Sequence, residues 1–221
     1  MKKKYFLMIL AFILVSSFSI TEIFNKKTYV YKNVTGSSKN TTTWLVKRQK
    51  GDLVITKTSD YGITDIVYSP KYELKLMKFS SATENDDYKM QLDDNKLTLN
   101  GTIKGRKASK VYIMSDRWVQ DFNYGLRNFL ESQMSEYKFV IINPDDFTSY
   151  QMVATRKGIH KMKINDHIYN TQQIEVSLRG FRSLFWKAQI WYDLETYDLV
   201  KYRANDGPGS PMKTTILDSK K

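Results

Sequence analysis

The chain has 221 residues, no cysteine, 41% hydrophobic residues and a formal net charge of +12. That length suits one domain, large enough to bury a core without disulfide staples. The missing cysteine excludes thiol catalysis, thiolate metal sites and a lipid-modified N-terminal cysteine. The basic residues alternate along predicted strands instead of gathering in a block, so they read as a solvated surface suited to anionic envelope components, with no nucleic-acid partner.

Lys2, Lys3 and Lys4 precede an uncharged run, YFLMILAFILVSSFSI, over residues 5–20. A basic start, a short apolar stretch and small residues at Ser17 and Ser19 predict a signal peptide over residues 1–19, with a single β-rich domain over 20–221. The competing reading is a retained membrane anchor, for which the run is slightly short. Cleavage leaves no transmembrane helix and sends the protein to the periplasm or outside the cell.

From residue 26 to 101 the pattern is strand and turn. Residues 28–32 are β-prone and lead into the turn cluster Gly36-Ser37-Ser38-Lys39-Asn40. Residues 42–48 and 53–58 form a hairpin around Gly51. Strands follow at 64–68, 72–79, 88–92, 96–99 and 111–114, with Asp93-Asp94-Asn95 as a turn.

The rhythm then changes. Trp118, Phe122, Leu126, Phe129, Leu130 and Met134 recur at spacings of three and four, which predicts one long helix over residues 116–135 capped by Ser115 or Asp116. Its apolar face is expected to pack on the sheet. Strands resume at 137–142, 152–156 and 161–168, the last with Asn165-Asp166 as a hairpin tip.

The stretch 172–202 organises the C-terminal half. Ile174, Val176 and Leu178 alternate with polar neighbours, and residues 184–192 read as a strand apolar on both faces. A polar turn leads to a strand at 199–203, and GPGSP precedes a last strand at 213–217. The expected fold is mainly β: a curled antiparallel meander, or half-barrel, wrapped around one long helix.

The order WVQDFNYGLRNFL, FVIINPDD, VSLRGFRSLFWKAQIWYDLETYDLVKY and GPGSP resembles a family of uncharacterised exported bacterial proteins. The resemblance covers mainly residues 118–217. It implies a long antiparallel meander with a helix, similar in outline to the half-barrels of the lipoprotein carriers of the bacterial envelope. It supplies no catalytic residues.

His160, His167 and Asp166 are the one set of metal-ligand type near a hairpin, and they read as surface residues beside a turn. The pairs Asp86-Asp87, Asp93-Asp94 and Asp145-Asp146 suit turn chemistry better than a facing pair of catalytic carboxyls. No nucleophile elbow, phosphate loop or dinucleotide fingerprint occurs. No catalytic residue, metal or cofactor is therefore assigned.

The constellation with most to offer is aromatic and cationic. Phe185, Lys187, Gln189 and Trp191 share one face of the predicted 184–192 strand, with Arg182 nearby. Rings mixed with a cation and an amide suit an amphipathic ligand; the alternative is that the rings complete the core while Lys187 snorkels to water. The expected function is non-enzymatic binding of a lipid or acyl chain in a concave sheet face. The second expectation is an envelope adaptor that engages proteins through sheet edges and a basic surface.

Overall fold

The computed structural model describes residues 26–144, 146–205, 207 and 209–221. The expected signal peptide, Asp145, Asp206, and Pro208 of the GPGSP loop lie outside the described residues.

The first half of the chain forms β1 (Lys27–Thr35), β2 (Ser38–Gln49), β3 (Asp52–Ser59), β4 (Gly62–Tyr68), β5 (Leu74–Ser81), β6 (Asp87–Asp93), β7 (Lys96–Ile103) and β8 (Arg106–Ile113). The second half forms β9 (Arg117–Trp118), a short helix α1 (Arg127–Glu131), β10 (Glu136–Ile142), β11 (Ser149–Ile164), β12 (His167–Leu178), β13 (Lys187–Asp193), β14 (Leu199–Ala204) and β15 (Lys213–Lys220). All fifteen strands belong to one sheet, ordered β8-β7-β6-β5-β4-β3-β2-β1-β15-β14-β13-β12-β11-β10-β9. Two meanders thus grow outward from a seam between the first and last strands. Pairing is antiparallel except between β9 and β10.

The two edge strands, β8 and β9, are consecutive in sequence, joined only by Met114, Ser115 and Asp116. So short a connection spans roughly 10 Å. The sheet must therefore curl until its edges nearly meet, yet no ladder joins them in the strand order. The Tyr112 hydroxyl (2.8 Å) and the Lys110 amine (3.1 Å) donate to the Phe147 carbonyl, tying the β8 edge to the β10–β11 connection.

Strand alternation decides what faces the hollow. Two rows run laterally across the inner face in register. One is Val46, Ile55, Ile66, Met77, Met90 and Leu99; its neighbour is Trp44, Lys57, Thr64, Phe79, Tyr88 and Gly101. Beyond the seam Phe139, Met152, Ile174, Ala188, Ile190 and Tyr192 continue the buried face.

The long helix expected over 116–135 is not formed. Only Arg127–Glu131 is helical, while residues 119–126 make a chain of turns laid into the hollow. The cause is local competition for backbone groups. The Asp121 carboxylate accepts the backbone N–H of Asn123 (2.9 Å) and Tyr124 (3.1 Å), a turn geometry that stands in for helix propagation. The apolar positions still point inward, since Trp118, Leu126, Phe129 and Leu130 are buried; Met134, at 46% exposure, does not. The periodicity marks a buried segment and misjudges its backbone.

The predicted strand over 184–192 is also corrected. Gly180, at φ 71°, turns the chain out of β12 into a 3-10 helix, Gly180–Leu184, and β13 begins only at Lys187. Ala188, Ile190 and Tyr192 then face inward and Gln189 and Trp191 outward, whereas Leu184 is 81% exposed beyond the strand. The hairpin tip at Asn165-Asp166 stands, with Asn165 at φ 51° and Ile164 paired to His167. Among the described residues no helix is long and apolar enough to cross a membrane.

Candidate ligand-binding site

The turns at 119–126 are held in the hollow by hydroxyls projecting from the sheet. Tyr68 donates to Asp121 Oδ2 (2.9 Å), and Tyr192 donates to the Phe122 carbonyl (2.5 Å). Asn123, nearly fully buried, donates to the Tyr31 hydroxyl (3.1 Å) and accepts the Leu199 N–H (3.3 Å). Each buried polar group of the turn thereby finds the partner that burial demands. Burial pushes the phenols of Tyr31, Tyr68 and Tyr192 well above their ordinary range. Tyr29 closes the seam side by donating to Asp198 (3.1 Å), which also pairs with Lys220.

Between these turns and the sheet lies a cavity of about 240 Å³, walled by Trp44, Ile66, Met77, Phe122 and Tyr202 and by the polar side chains of Asn33, Thr42, Lys57, Thr64 and Asp121. Lys57 and Thr64 are direct cross-strand partners on its wall. The Lys57 amine sits 5.4 Å from the Trp44 ring centre. Burial lowers its pKa, and the charge of Asp121 partly opposes that. Burial likewise raises the Asp121 carboxyl, against the pull of the Asn123 and Tyr124 N–H groups, Tyr68 and Lys57.

A second cavity, about 730 Å³, is walled by Ile141, Ile142, Met152, Leu178, Phe185 and Trp186, with the polar side chains of Asn143, Tyr150 and Lys213 in its lining. Gln120 lines both cavities and stands between them. Gln120 is fixed: it donates to the Ile142 carbonyl (2.6 Å) and accepts the Ile142 N–H (3.0 Å) and the Trp118 indole N–H (3.1 Å). Its amide extends the β10 ladder in place of a strand.

The five residues singled out in the sequence are divided by this arrangement. Phe185, Lys187 and Gln189 line a depression of about 540 Å³ on the outer face, together with Arg203 and Met212. Phe185, 56% exposed, also borders the 730 Å³ cavity. Trp191 lies on the outer face beneath the Lys201 amine (5.3 Å), and Arg182 projects from the exposed 3-10 helix. The shared concave lining expected of them is not formed. The concave wall is instead built by Asn33, Lys57, Thr64 and Gln120. The alternation Leu53, Ile55, Lys57 carried a usable signal, since a lysine in phase with buried residues must face the same way.

His160 pairs with Thr171 and His167 with Ile164. The two histidines stand four positions apart along the ladder, roughly 13 Å, too far for one tetrahedral ion. Asp86 accepts the Lys104 N–H (2.6 Å) and Asp87 accepts the Ser80 hydroxyl (3.3 Å), so that pair serves the turns.

Among solved structures, the chain is similar to the beta-barrel-like protein of a domain of unknown function, DUF1849, from Brucella abortus. The two share 6% sequence identity over 89% of this chain and 97% of that one, with a TM-score of 0.55. It also aligns with the hypothetical lipoprotein YmcC from Escherichia coli K12 at 16% identity, covering 89% and 84% of the two chains with a TM-score of 0.39. A LolA superfamily protein from Nitrosomonas europaea aligns at 8% identity over 89% and 85%, with a TM-score of 0.26. The Brucella protein, described as beta-barrel-like, shares the fold. Its fold agrees with the antiparallel half-barrel that the sequence resemblance implies. No family model matches the chain, and no curated protein sequence matches it.

Proposed function

We propose that this chain is an exported, non-enzymatic envelope protein that holds a lipid or acyl chain in its concave face. The observation that supports this reading is the pair of cavities, about 240 and 730 Å³, on either side of Gln120. The smaller cavity is polar at about half of its lining residues and the larger one is more apolar, with Asn143, Tyr150 and Lys213 among its lining, a mixture that suits an amphipathic guest. Native mass spectrometry of protein purified from its own envelope tests the reading. The expected result is a lipid adduct that Gln120→Trp, which adds bulk between the cavities, diminishes. A clean apo mass and no uptake from added lipid would refute it.

A second reading, an envelope adaptor, draws on the β8 edge, whose backbone pairs with no further strand. β8 ends the sheet and leaves Val111 52% and Ile113 72% exposed beside Arg106, Lys107 and Lys110. An uncovered edge strand is a template for adding another chain's strand. Salt-sensitive capture of one envelope protein, lost when Val111 is replaced by proline, would favour it over ligand carriage.

A further inference from the structure

We infer that the guest is an amphiphile with a single anionic head, seated against Lys57 and Thr64, whose chain runs past Gln120 into the larger cavity. This rests on the ligand reading above and specifies its chemistry. Lys57 is the lone charge in the two lateral rows that pave this half of the inner face. Lys57 is half-buried, in phase with the core and on a cavity wall, a position that works against packing unless something uses its amine.

The partners on hand do not serve that purpose. Among the described residues Lys57 makes no hydrogen bond and no ion pair; its neighbour is the face of Trp44 at 5.4 Å. The hydroxyl of Thr64, a residue at 8% exposure directly opposite in the ladder, makes no side-chain hydrogen bond either. A cation and a hydroxyl donor thus stand side by side on a cavity wall with their donor capacity unspent. Asp121 lines the same cavity, but both its carboxylate oxygens are engaged, by Tyr68, Asn123 N–H and Tyr124 N–H. A carboxylate or a phosphate monoester would take the Lys57 and Thr64 donors together, since both present several acceptor lone pairs.

The space agrees. The head cavity, about 240 Å³, is too small for a whole acyl chain of membrane length, while the 730 Å³ cavity beyond Gln120 is apolar on most of its wall. The charge on the larger cavity's wall, Lys213, already has a partner, so the unspent charge lies at one end and the room at the other, which sets the direction in which a chain lies.

The test titrates dodecanoate, dodecyl phosphate and dodecanol into the full-length protein, read by calorimetry and by the fluorescence of tryptophans at both cavities. The expected result is that both anions bind wild type about tenfold or more tighter than the alcohol, the size of one charge-assisted contact. Lys57→Met should bring the anions down to the alcohol's level, and Thr64→Val should weaken them several-fold. The tighter of the two anions identifies the head as carboxylate or phosphate. If the alcohol binds wild type as tightly as the anions, or Lys57→Met keeps the preference, Lys57 is a remote counter-charge for Asp121 and the head-group assignment falls while ligand carriage stands. If none of the three binds wild type, carriage itself falls. Circular dichroism of both variants verifies that loss of preference is not loss of fold.

Discussion

Asn123→Ala removes the amide that joins the inserted turn to the far wall of the sheet. The side chain makes two buried hydrogen bonds, to the Tyr31 hydroxyl and from the Leu199 N–H, at 3.1 and 3.3 Å. Tyr31 in turn donates to the Leu199 carbonyl at 3.2 Å, so amide and phenol together stand in for a strand partner at the start of β14. Losing two such bonds costs about 1 kcal/mol each, and the orphaned Leu199 N–H adds about 1–3 kcal/mol, less any relief by water entering the gap. Allowing for that relief, the total is roughly 2–4 kcal/mol, which for a chain of this size lowers Tm by roughly 4–16 °C. Because the three groups form one network, a double-mutant cycle with Tyr31→Phe should show a coupling of roughly 0.5 kcal/mol or more. Urea unfolding followed by near-UV circular dichroism measures all four corners. A loss under about 0.5 kcal/mol for Asn123→Ala, or strict additivity with Tyr31→Phe, would show that the turn is not anchored through this amide.

Arg156 clamps the end of α1 and the chain after it by donating to the carbonyls of Phe129 (2.6 Å), Leu130 (3.1 Å), Ser132 (2.8 Å) and Met134 (2.9 Å). Arg156→Ala should cost roughly 2–4 kcal/mol in the same unfolding assay, and Arg156→Lys should recover less than half, because an ammonium lacks the planar fork. Gly125 leaves no room for a side chain: an added Cβ would lie 2.3 Å from the Asp121 carbonyl oxygen and 2.7 Å from Val119 Cγ1. Gly125→Ala should therefore lower stability by about 1–3 kcal/mol and weaken amphiphile uptake as Asp121 shifts; unchanged Tm and uptake would refute the tight fit. The phenols of Tyr29, Tyr31, Tyr68, Tyr124 and Tyr192 are all raised by burial above the ordinary 10.0. Above pH 10 the native state then holds protons that the unfolded state has released, so stability falls as pH rises. Tyrosinate absorbance should develop in two stages, the exposed phenols first and the buried five only with loss of circular dichroism; a full signal from folded protein would contradict the burial.

The strands were legible because alternation is a direct record of a two-faced sheet, as in Ile174, Val176 and Leu178 against Gln173, Glu175 and Ser177. So was the Asn165-Asp166 tip, since Asn tolerates the left-handed backbone that a two-residue turn needs. The helix misled for a stated reason: spacings of three and four record which residues are buried, while Asp121, Asn123 and Gly125 set the backbone between them. Residues 184–192 misled in the opposite way. Leu184 and Phe185 are exposed at 81% and 56%, and a run of rings gives no sign of whether a glycine upstream has already turned the chain out of the sheet.

The same contrast separates structure from function in this chain. Where pattern and burial agree, as along Val46, Ile55, Ile66 and Met77, the residues are accounted for by the core they make. Lys57 and Thr64 obey the alternation and violate its chemistry, a charge and a free hydroxyl placed where the strand faces inward. A sequence that keeps every local rule gains stability, so a departure without an internal partner points to something outside the chain. Asp121 departs too, yet its partners are all present, and its place is explained by holding the turn. Among the described residues Lys57 has only the distant charge of Asp121 and the face of Trp44, and the proposed guest's head would give its amine the hydrogen-bonding partner it lacks.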